Sequence, residues 1–414
     1  RYAQNLVAGA GLVWNPGEIP PVEGYTNLLW TLILAIPAAL ASPEIAPLVV
    51  GAIGAAILLA SGAIALRVAR TAGADKLATL ACAILVLASF QNSFWTLRGM
   101  EVGLVSLFLL IATMVVLQAP SGATSDRTVG LVSLIAGVTL LTRPDGVLLF
   151  VPHFLLLLRP AEISVRRLLA LSPVIVCALG HLLFRWHTYG ELVPNTYALK
   201  MMGTPAIARI PTGWIATLMS VHLLLPYVVT ALWLSRHWRE PTLLARLALI
   251  CVGTGALQLA YGVWIGGDAW NFISNRFLAT ITPLMLIGAT LTLLDGFGRF
   301  AAHRVGHAVL SAVLLIGGSA LIWADHFPVR TLSNGLAIAG VVLLCAWPLV
   351  WPHLHSKARS LPVAATALAR GVAVAVLVFI IVSRRSPQRR SNNGRRPERK
   401  EETITCLTLL LLVS

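Results

Sequence analysis

The chain is 414 residues long, 57% hydrophobic and 11% charged, with a mean hydropathy of +0.82 and a formal net charge of +15. A soluble protein of this size carries roughly a quarter charged residues to cover its surface, so this balance excludes a large soluble enzyme and indicates a polytopic membrane protein. The five cysteines (Cys82, Cys177, Cys251, Cys345 and Cys406) lie in or beside apolar runs with no CxxC or His partner spacing, which reads as membrane packing and excludes a disulfide or zinc framework.

The first segment, residues 1–44, begins as a polar, aromatic loop punctuated by Gly and Pro. It opens at Arg1 with no initiator Met and no apolar run before it, so the chain reads as the interior of a longer protein. The apolar run 28–41 contains Pro37 and is about fourteen residues long, short of the roughly 20 that a crossing helix needs. It is expected to be a juxtamembrane helix, interfacial or partly immersed. Residues 45–383 form the expected membrane domain, with about twelve apolar spans. These lie near 45–66, 77–94, 102–117, 129–141, 146–158, 168–184, 214–235, 244–262, 277–294, 308–323, 334–351 and 363–382. Residues 384–414 form a tail whose stretch RRSPQRRSNNGRRPERK is basic and lacks apolar periodicity, so it is expected to be disordered and solvated or lipid-contacting. No nucleic-acid partner is expected.

With 28–41 not crossing and 1–27 facing outward, the alternate loops carry Arg67, Arg70 and Lys76, then Arg127, then Arg159, Arg166 and Arg167, then Arg236, Arg239 and Arg246, then Arg299 and Arg304, then Lys357 and Arg359. That is the positive-inside pattern. The tail departs from it, because the span count puts it outside while its charge argues inside. The opposite loops hold LRGME, LTRPDG, YGELVPNTYALK and IGGDAWNFISNRF, where single charges sit among aromatics, Asn and Gly. Spans 129–141 and 146–158 are each about thirteen residues, so the RPD turn between them is expected below the membrane surface, against protein or a water-filled cavity. Arg143 and Asp145 are then either a buried polar site or a local hairpin cap, with Arg143 snorkelling to head groups.

The outward loops contain no G-x-S-x-G, H-E-x-x-H, Walker A or dinucleotide-binding glycine loop. They contain carboxylates (Glu23, Glu101, Asp145, Glu191, Asp268), cations (Arg98, Arg143, Lys200, Arg276) and aromatics (Tyr2, Trp14, Tyr25, Trp95, Tyr197, Trp270). Sugar transfer from a lipid phosphate to a hydroxyl suits that inventory. A carboxylate takes the hydroxyl proton, cations or a metal stabilise the departing phosphate, and aromatic faces hold sugar rings.

The opening stretch RYAQNLVAGAGLVWNPGEIPPVEGYTNLLWTLILA resembles the first outer loop of the polyprenyl-phosphate-dependent glycosyltransferases of the GT-C superfamily, especially a bacterial branch of arabinofuranosyltransferases and flagellar motor control proteins. WTLRGME, LLTRPDG, GELVPNTYALK and GGDAWNFISNRFLATITPL resemble further segments of that branch in order, so the similarity runs over about residues 1–295. The resemblance implies an all-α integral membrane bundle of about thirteen helices, of which this chain holds about twelve. It further implies a bacterial inner-membrane location, an active face turned outward, and inverting transfer of a sugar such as arabinofuranose from polyprenyl phosphate to an envelope glycan. In some members a divalent cation, Mg or Mn, takes part; no metal ligand is assigned here.

In that family an Asp just before the R-Y-A segment serves as base. Its position falls before Arg1, so the chain as it stands is expected to be inactive. Arg1 and Tyr2 would flank that carboxylate, and Glu23, Tyr25 and Asn27 would line the cavity beside it. Glu101 is an acidic partner or a helix cap, and Asp268, after Gly266 and Gly267, binds acceptor or metal or ends a helix. Arg276 and Lys200 face donor phosphate or anchor at the interface, while Asn195 takes a turn role after Pro194 or touches sugar. His153, His187 and His222 are read as packing residues. Two other readings remain open: a non-catalytic membrane scaffold or motor-assembly protein on the same fold, and a transporter, for which the expected internal repeat is not found.

Overall fold

Apolar runs of this length fold as helices because only a helix satisfies its own backbone polar groups away from water. The computed structural model describes residues 1–120, 125–158, 164–218, 220–267 and 275–298, and these are helical with no strand among them. The elements in order are α1 (Tyr2–Val7), α2 (Leu28–Leu40), α3 (Ala46–Thr71), α4 (Lys76–Ala88), α5 (Phe90–Leu97), α6 (Val102–Gln118) and α7 (Asp126–Thr142). A 3₁₀ turn, Pro144–Phe150, leads into α8 (Val151–Leu157), followed by α9 (Val165–Leu169), α10 (Ser172–Tyr189), α11 (Asn195–Met202) and α12 (Ala206–Leu218). Last come α13 (Val221–His237), α14 (Leu243–Trp264), α15 (Arg276–Ala279) and α16 (Thr282–Gly298). The expected spans near 308–323, 334–351 and 363–382, the tail 384–414 and Asp268 lie outside the described residues.

Among the described residues, three helical stretches are long and apolar enough to cross a membrane: α3, the α9–α10 stretch Val165–Tyr189, and α14. The number rises to five if the α4–α5 and α12–α13 pairs each count as one bent span. Two expected spans are therefore bent helix pairs, and 146–158, 168–184 and 277–294 are likewise each divided between two helical elements. The run 77–94 breaks at Ser89, whose ψ of 104 leaves the helical region, and α4 and α5 meet at 48°. The polar triplet Gln91, Asn92 and Ser93 opens the second piece, and it gives the backbone there little apolar reason to continue straight. The run 214–235 belongs to two helices, α12 and α13, with Ser220 (φ −109, ψ 24) preceding the second. Residues 28–41 do form a separate 13-residue helix, with Pro37 inside it.

The buried core is carried by α6, α7, α14 and α16, where Leu109, Leu110, Val132, Ile250, Leu284 and Ile287 pack with Phe150 from the 3₁₀ turn. Threonines within it are satisfied locally: Thr113, Thr139 and Thr290 donate to the carbonyls of Leu109, Ile135 and Leu286 one turn back. α10 is inverted relative to a soluble helix. Ile175, Val176, Leu179, Leu183 and Trp186 are exposed, while His181, Arg185 and Tyr189 are buried. An apolar face turned outward over a polar face turned inward is the pattern a lipid environment selects.

α10 is stitched to α7 by one hydroxyl. Ser133 Oγ donates to the Leu171 carbonyl at 3.0 Å and accepts the Val174 N–H at 3.1 Å, which satisfies backbone groups at the start of α10. Ser133→Ala is expected to cost about 1–2 kcal/mol, because it leaves a buried donor and acceptor without partners. A lowered midpoint in thermal unfolding followed by circular dichroism in detergent checks this, and an unchanged midpoint counts against it.

Candidate functional site

The first loop is held by its own tyrosines. Tyr2 Oη donates to the Val22 carbonyl at 2.7 Å and accepts the Gly24 N–H at 2.6 Å, closing residues 1–24 on themselves. Asn5 Nδ2 donates to the carbonyls of Val13 and Trp14, and the Arg1 guanidinium lies 5.0 Å from the centroid of the Trp14 ring. Residues 21–25 form no regular element, and within them Glu23 and Tyr25 are turned inward and Gly24 outward.

Both inward residues meet α10. Glu23 Oε1 accepts from Arg185 Nε at 2.9 Å, with both side chains buried. Tyr25 and Tyr189 share a hydrogen bond between their hydroxyls at 3.0 Å, and Tyr189 Oη donates to the Leu12 carbonyl. Burial pushes the Glu23 carboxyl above the usual carboxylate range, with the Arg185 guanidinium opposing that shift. Burial likewise raises the Tyr2 and Tyr25 hydroxyls.

Two residues further on, the loop reaches a second charged cluster. Asn27 precedes α2 without capping it; its Nδ2 donates to Glu101 Oε2 at 3.0 Å, and its Oδ1 accepts from Thr31 Oγ1. Trp30, fully buried, donates from Nε1 to the Gly99 carbonyl at 2.7 Å. The sequence WTLRGME supplies the turn that brings Glu101 here. Gly99 sits at φ +80, its N–H bonds the Thr96 carbonyl and the Met100 N–H bonds the Trp95 carbonyl, which is a Schellman ending for α5. The chain can then start α6 at once. Glu101 stands at the cap position, but its side chain makes no cap hydrogen bond.

Glu101 instead turns to Arg143. Arg143 Nη1 donates to Glu101 Oε1 at 3.3 Å, while its Nε and Nη2 grip the two oxygens of Asp145 at 3.1 and 2.8 Å. Pro144 favours extended backbone in the residue before it, and Arg143 accordingly lies at φ −155, ψ 119, ending α7 and aiming its side chain across to α6. Side-chain exposure rises from 4% at Glu101 through 9% at Arg143 to 15% at Asp145, so the cluster opens on the Asp145 side.

Around that open side, Phe277 takes both guanidinium groups, Arg143 at 5.4 Å and Arg276 at 5.7 Å from its ring centroid. Tyr261 stacks edge-on against Phe277 at 5.6 Å and stands within electrostatic reach of Asp145, Arg143, Tyr197 and Arg276. Asn275 fixes the short helix α15 that carries Arg276 and Phe277 by accepting the N–H groups of Phe277 and Leu278. The IGGD turn ends α14 in the same way as Gly99 ends α5: Gly266 and Gly267 lie at φ +84 and +78, and their N–H groups reach back to Val263 and Gly262. Arg209 clamps this turn, donating to the carbonyls of Trp264, Met201 and Thr204. A Cβ on Gly266 would lie 2.6 Å from Arg209 Cγ, so a side chain there would displace the clamp.

The expected residues thus separate into two groups. Asn27, Glu101, Arg143, Asp145 and Arg276 gather in one cluster, and Tyr2, Glu23 and Tyr25 join another with Arg185 and Tyr189. Arg1 stays exposed over Trp14. Asn195 begins α11, exposed and without a side-chain cap bond; Lys200 lies on the same helix, its side chain outside the described atoms, as is all of Asp268. Arg185, His181, Tyr261, Phe277 and Arg209 were not singled out from the sequence. For Arg185 a signal existed: His181, Arg185 and Tyr189 recur every four residues in an otherwise apolar run.

Among the described residues no three His, Cys, Asp or Glu side chains gather as cation ligands. The carboxylates of Glu101 and Asp145 enclose a guanidinium in the place a bridging cation would take. These residues do not fit a divalent metal.

No family model matches the chain, and no solved structure matches it. Among curated proteins it is similar to a terminal β-(1→2)-arabinofuranosyltransferase of Mycobacterium tuberculosis, 27% identical over 372 residues, with 79% of this chain and 57% of that protein covered. The chain therefore spans little more than half the length of that relative. The likeness supports a distant relationship to glycosyltransferases, and it agrees in class with a helical membrane protein.

Removing Arg143 strands two buried carboxylates beside one another. Arg143→Ala is expected to cost about 3–5 kcal/mol in unfolding free energy, and Arg143→Lys less, since it keeps the charge but loses the planar grip. Denaturant titration of the purified protein measures both. A second expectation concerns pH. Because the folded carboxyl of Glu23 lies above its ordinary value of 4.5, its contribution to stability is complete below that value and is lost as pH rises through the folded pKa. Glu23→Gln should remove that part of the decline, and identical stability–pH curves for the two proteins would count against the assignment.

Proposed function

We propose that this protein belongs to a membrane glycosyltransferase that moves a sugar, arabinofuranose being the leading candidate, from a polyprenyl-phosphate donor to an envelope glycan with inversion at the anomeric carbon. In this reading it is a multi-pass protein of a bacterial plasma membrane, with its site facing outward. The observation that carries the reading is the Asn27–Glu101–Arg143–Asp145 cluster, which joins the first loop to the ends of α6 and α7 at the point where motifs of the resembling family converge. The similarity to the mycobacterial arabinofuranosyltransferase supports the reaction class.

The geometry suits the task physically. Two carboxylates hold the Arg143 fork rigid and offset its charge, so what it offers a leaving phosphate is its two remaining N–H donors, preorganised in place. Arg276, against the same Phe277 ring, adds a second cation close by. Tyr261 and Tyr197 supply aromatic faces beside them. The base that takes the acceptor proton is a carboxylate, which the resemblance puts next to Arg1 and Tyr2.

The test is transfer of radiolabelled arabinofuranose from polyprenyl phosphate to an arabinan acceptor, in membranes carrying the full-length gene product. Label is expected in the acceptor. Folded Arg143→Lys protein is expected to transfer at least ~100-fold more slowly, the scale of losing one preorganised donor to a developing charge. Absence of transfer by the wild type, or an unchanged rate in Arg143→Lys, overturns the reading and favours a scaffold on the same fold.

A further inference from the structure

The second cluster, between the first loop and α10, has polar groups in excess of what its own bonds use. Arg185 and Glu23 meet through one hydrogen bond, Nε to Oε1 at 2.9 Å, and not through the two-pronged fork that arginine and carboxylate form when they serve only one another. Glu23 Oε2 and Arg185 Nη2 are left buried with no partner among the described residues, and so is His181 Nε2, one helical turn from Arg185. All three residues are more than nine-tenths buried, at 3%, 4% and 5% exposure. His181 and Arg185 stand one turn apart on α10 and Glu23 is bonded to Arg185, so a buried acceptor, a buried donor and an imidazole nitrogen that serves as either are neighbours.

The charges decide what such a set would take. Glu23 and Arg185 cancel one another, so the cluster has no surplus positive charge to hold a phosphate, and its carboxylate repels one. Arg185 in turn repels a metal ion. A neutral ligand with adjacent hydroxyls satisfies every orphaned group: one hydroxyl donates to Glu23 Oε2, its neighbour accepts from Arg185 Nη2, and a third meets His181 Nε2. The wall beside them is aromatic, with Tyr25, Phe184 and Tyr189 packed edge to face, and such rings suit the C–H face of a sugar.

We propose that Glu23, Arg185 and His181 form a binding subsite for an uncharged sugar residue carrying a vicinal diol, separate from the Arg143 cluster. The polyol class follows from the three orphaned groups, whereas the choice of arabinofuranose as probe rests on the proposed function. Entry requires the first loop to loosen from α10 at the bond of Tyr189 Oη to the Leu12 carbonyl, while Arg185 Nε keeps its hold on Glu23 Oε1.

The experiment is saturation-transfer NMR of methyl arabinofuranoside with the 414-residue chain in lipid nanodiscs, with no lipid donor present. Saturable binding to the wild type is expected, with inorganic phosphate failing to displace the sugar. Glu23→Gln, which turns the free acceptor into a donor while keeping an oxygen for Arg185, should weaken binding at least tenfold. Arg185→Lys should do the same, and His181→Ala should weaken it about fivefold. Should Arg185→Lys prove unfolded by gel filtration, the conservative Glu23→Gln variant decides alone. No saturable binding, displacement by phosphate, or wild-type affinity in Glu23→Gln overturns the inference. Binding that follows this pattern while the full-length protein transfers no label would leave the subsite standing and remove the transferase reading.

Discussion

The arginine held between two carboxylates inside the helix bundle is the constraint on which the described structure turns. Water reaches Arg143 and Glu101 hardly at all, so each of these charges is tolerated only while its partners stay in place. That requirement fixes the end of α7 against the start of α6. Through Asn27 on the second oxygen of Glu101 it also fixes where the first loop becomes α2. Three segments far apart in sequence are thereby registered by one guanidinium. The short helix α15 joins them by placing Phe277 against it.

A second tie works along the same loop. Glu23 and Tyr25 both face the buried polar stripe of α10, while the apolar face of α10 is left exposed. In water this helix would be inside out; beside lipid it is the arrangement that hides charge and exposes hydrocarbon. Loop and membrane helices therefore depend on one another: the loop covers the polar stripe, and the stripe gives the loop its place.

Much of this was legible in the sequence, for reasons that differ by element. Composition alone gave the helical membrane class, and the glycines of LRGME and IGGD marked the two turns, because only a residue without a Cβ ends a helix this way at so little strain. The short runs flanking RPD left Arg143 and Asp145 as either a buried polar site or a local hairpin cap with Arg143 snorkelling. What the sequence did not show was the third member. Glu101 stands where a helix-capping carboxylate would, and only the fold reveals that its side chain turns to a residue 42 positions away. Arg185 lies just past the apolar run 168–184, and only its four-residue spacing from His181 and Tyr189 marks it in the sequence. The breaks at Ser89 and before Val221 were hidden for the opposite reason, since hydropathy averages over a window and does not register a local change of backbone direction.

The central claim is that the Arg143 cluster anchors the first loop to the bundle through Glu101. Hydrogen exchange of the full chain in nanodiscs, comparing wild type with Glu101→Ala, tests it most directly. The account predicts amide exchange at least tenfold faster over residues 27–31 at the start of α2, with the amides of the α16 core unchanged. Equal exchange over residues 27–31 in the two proteins, or acceleration spread evenly across α2 and α16, would contradict it.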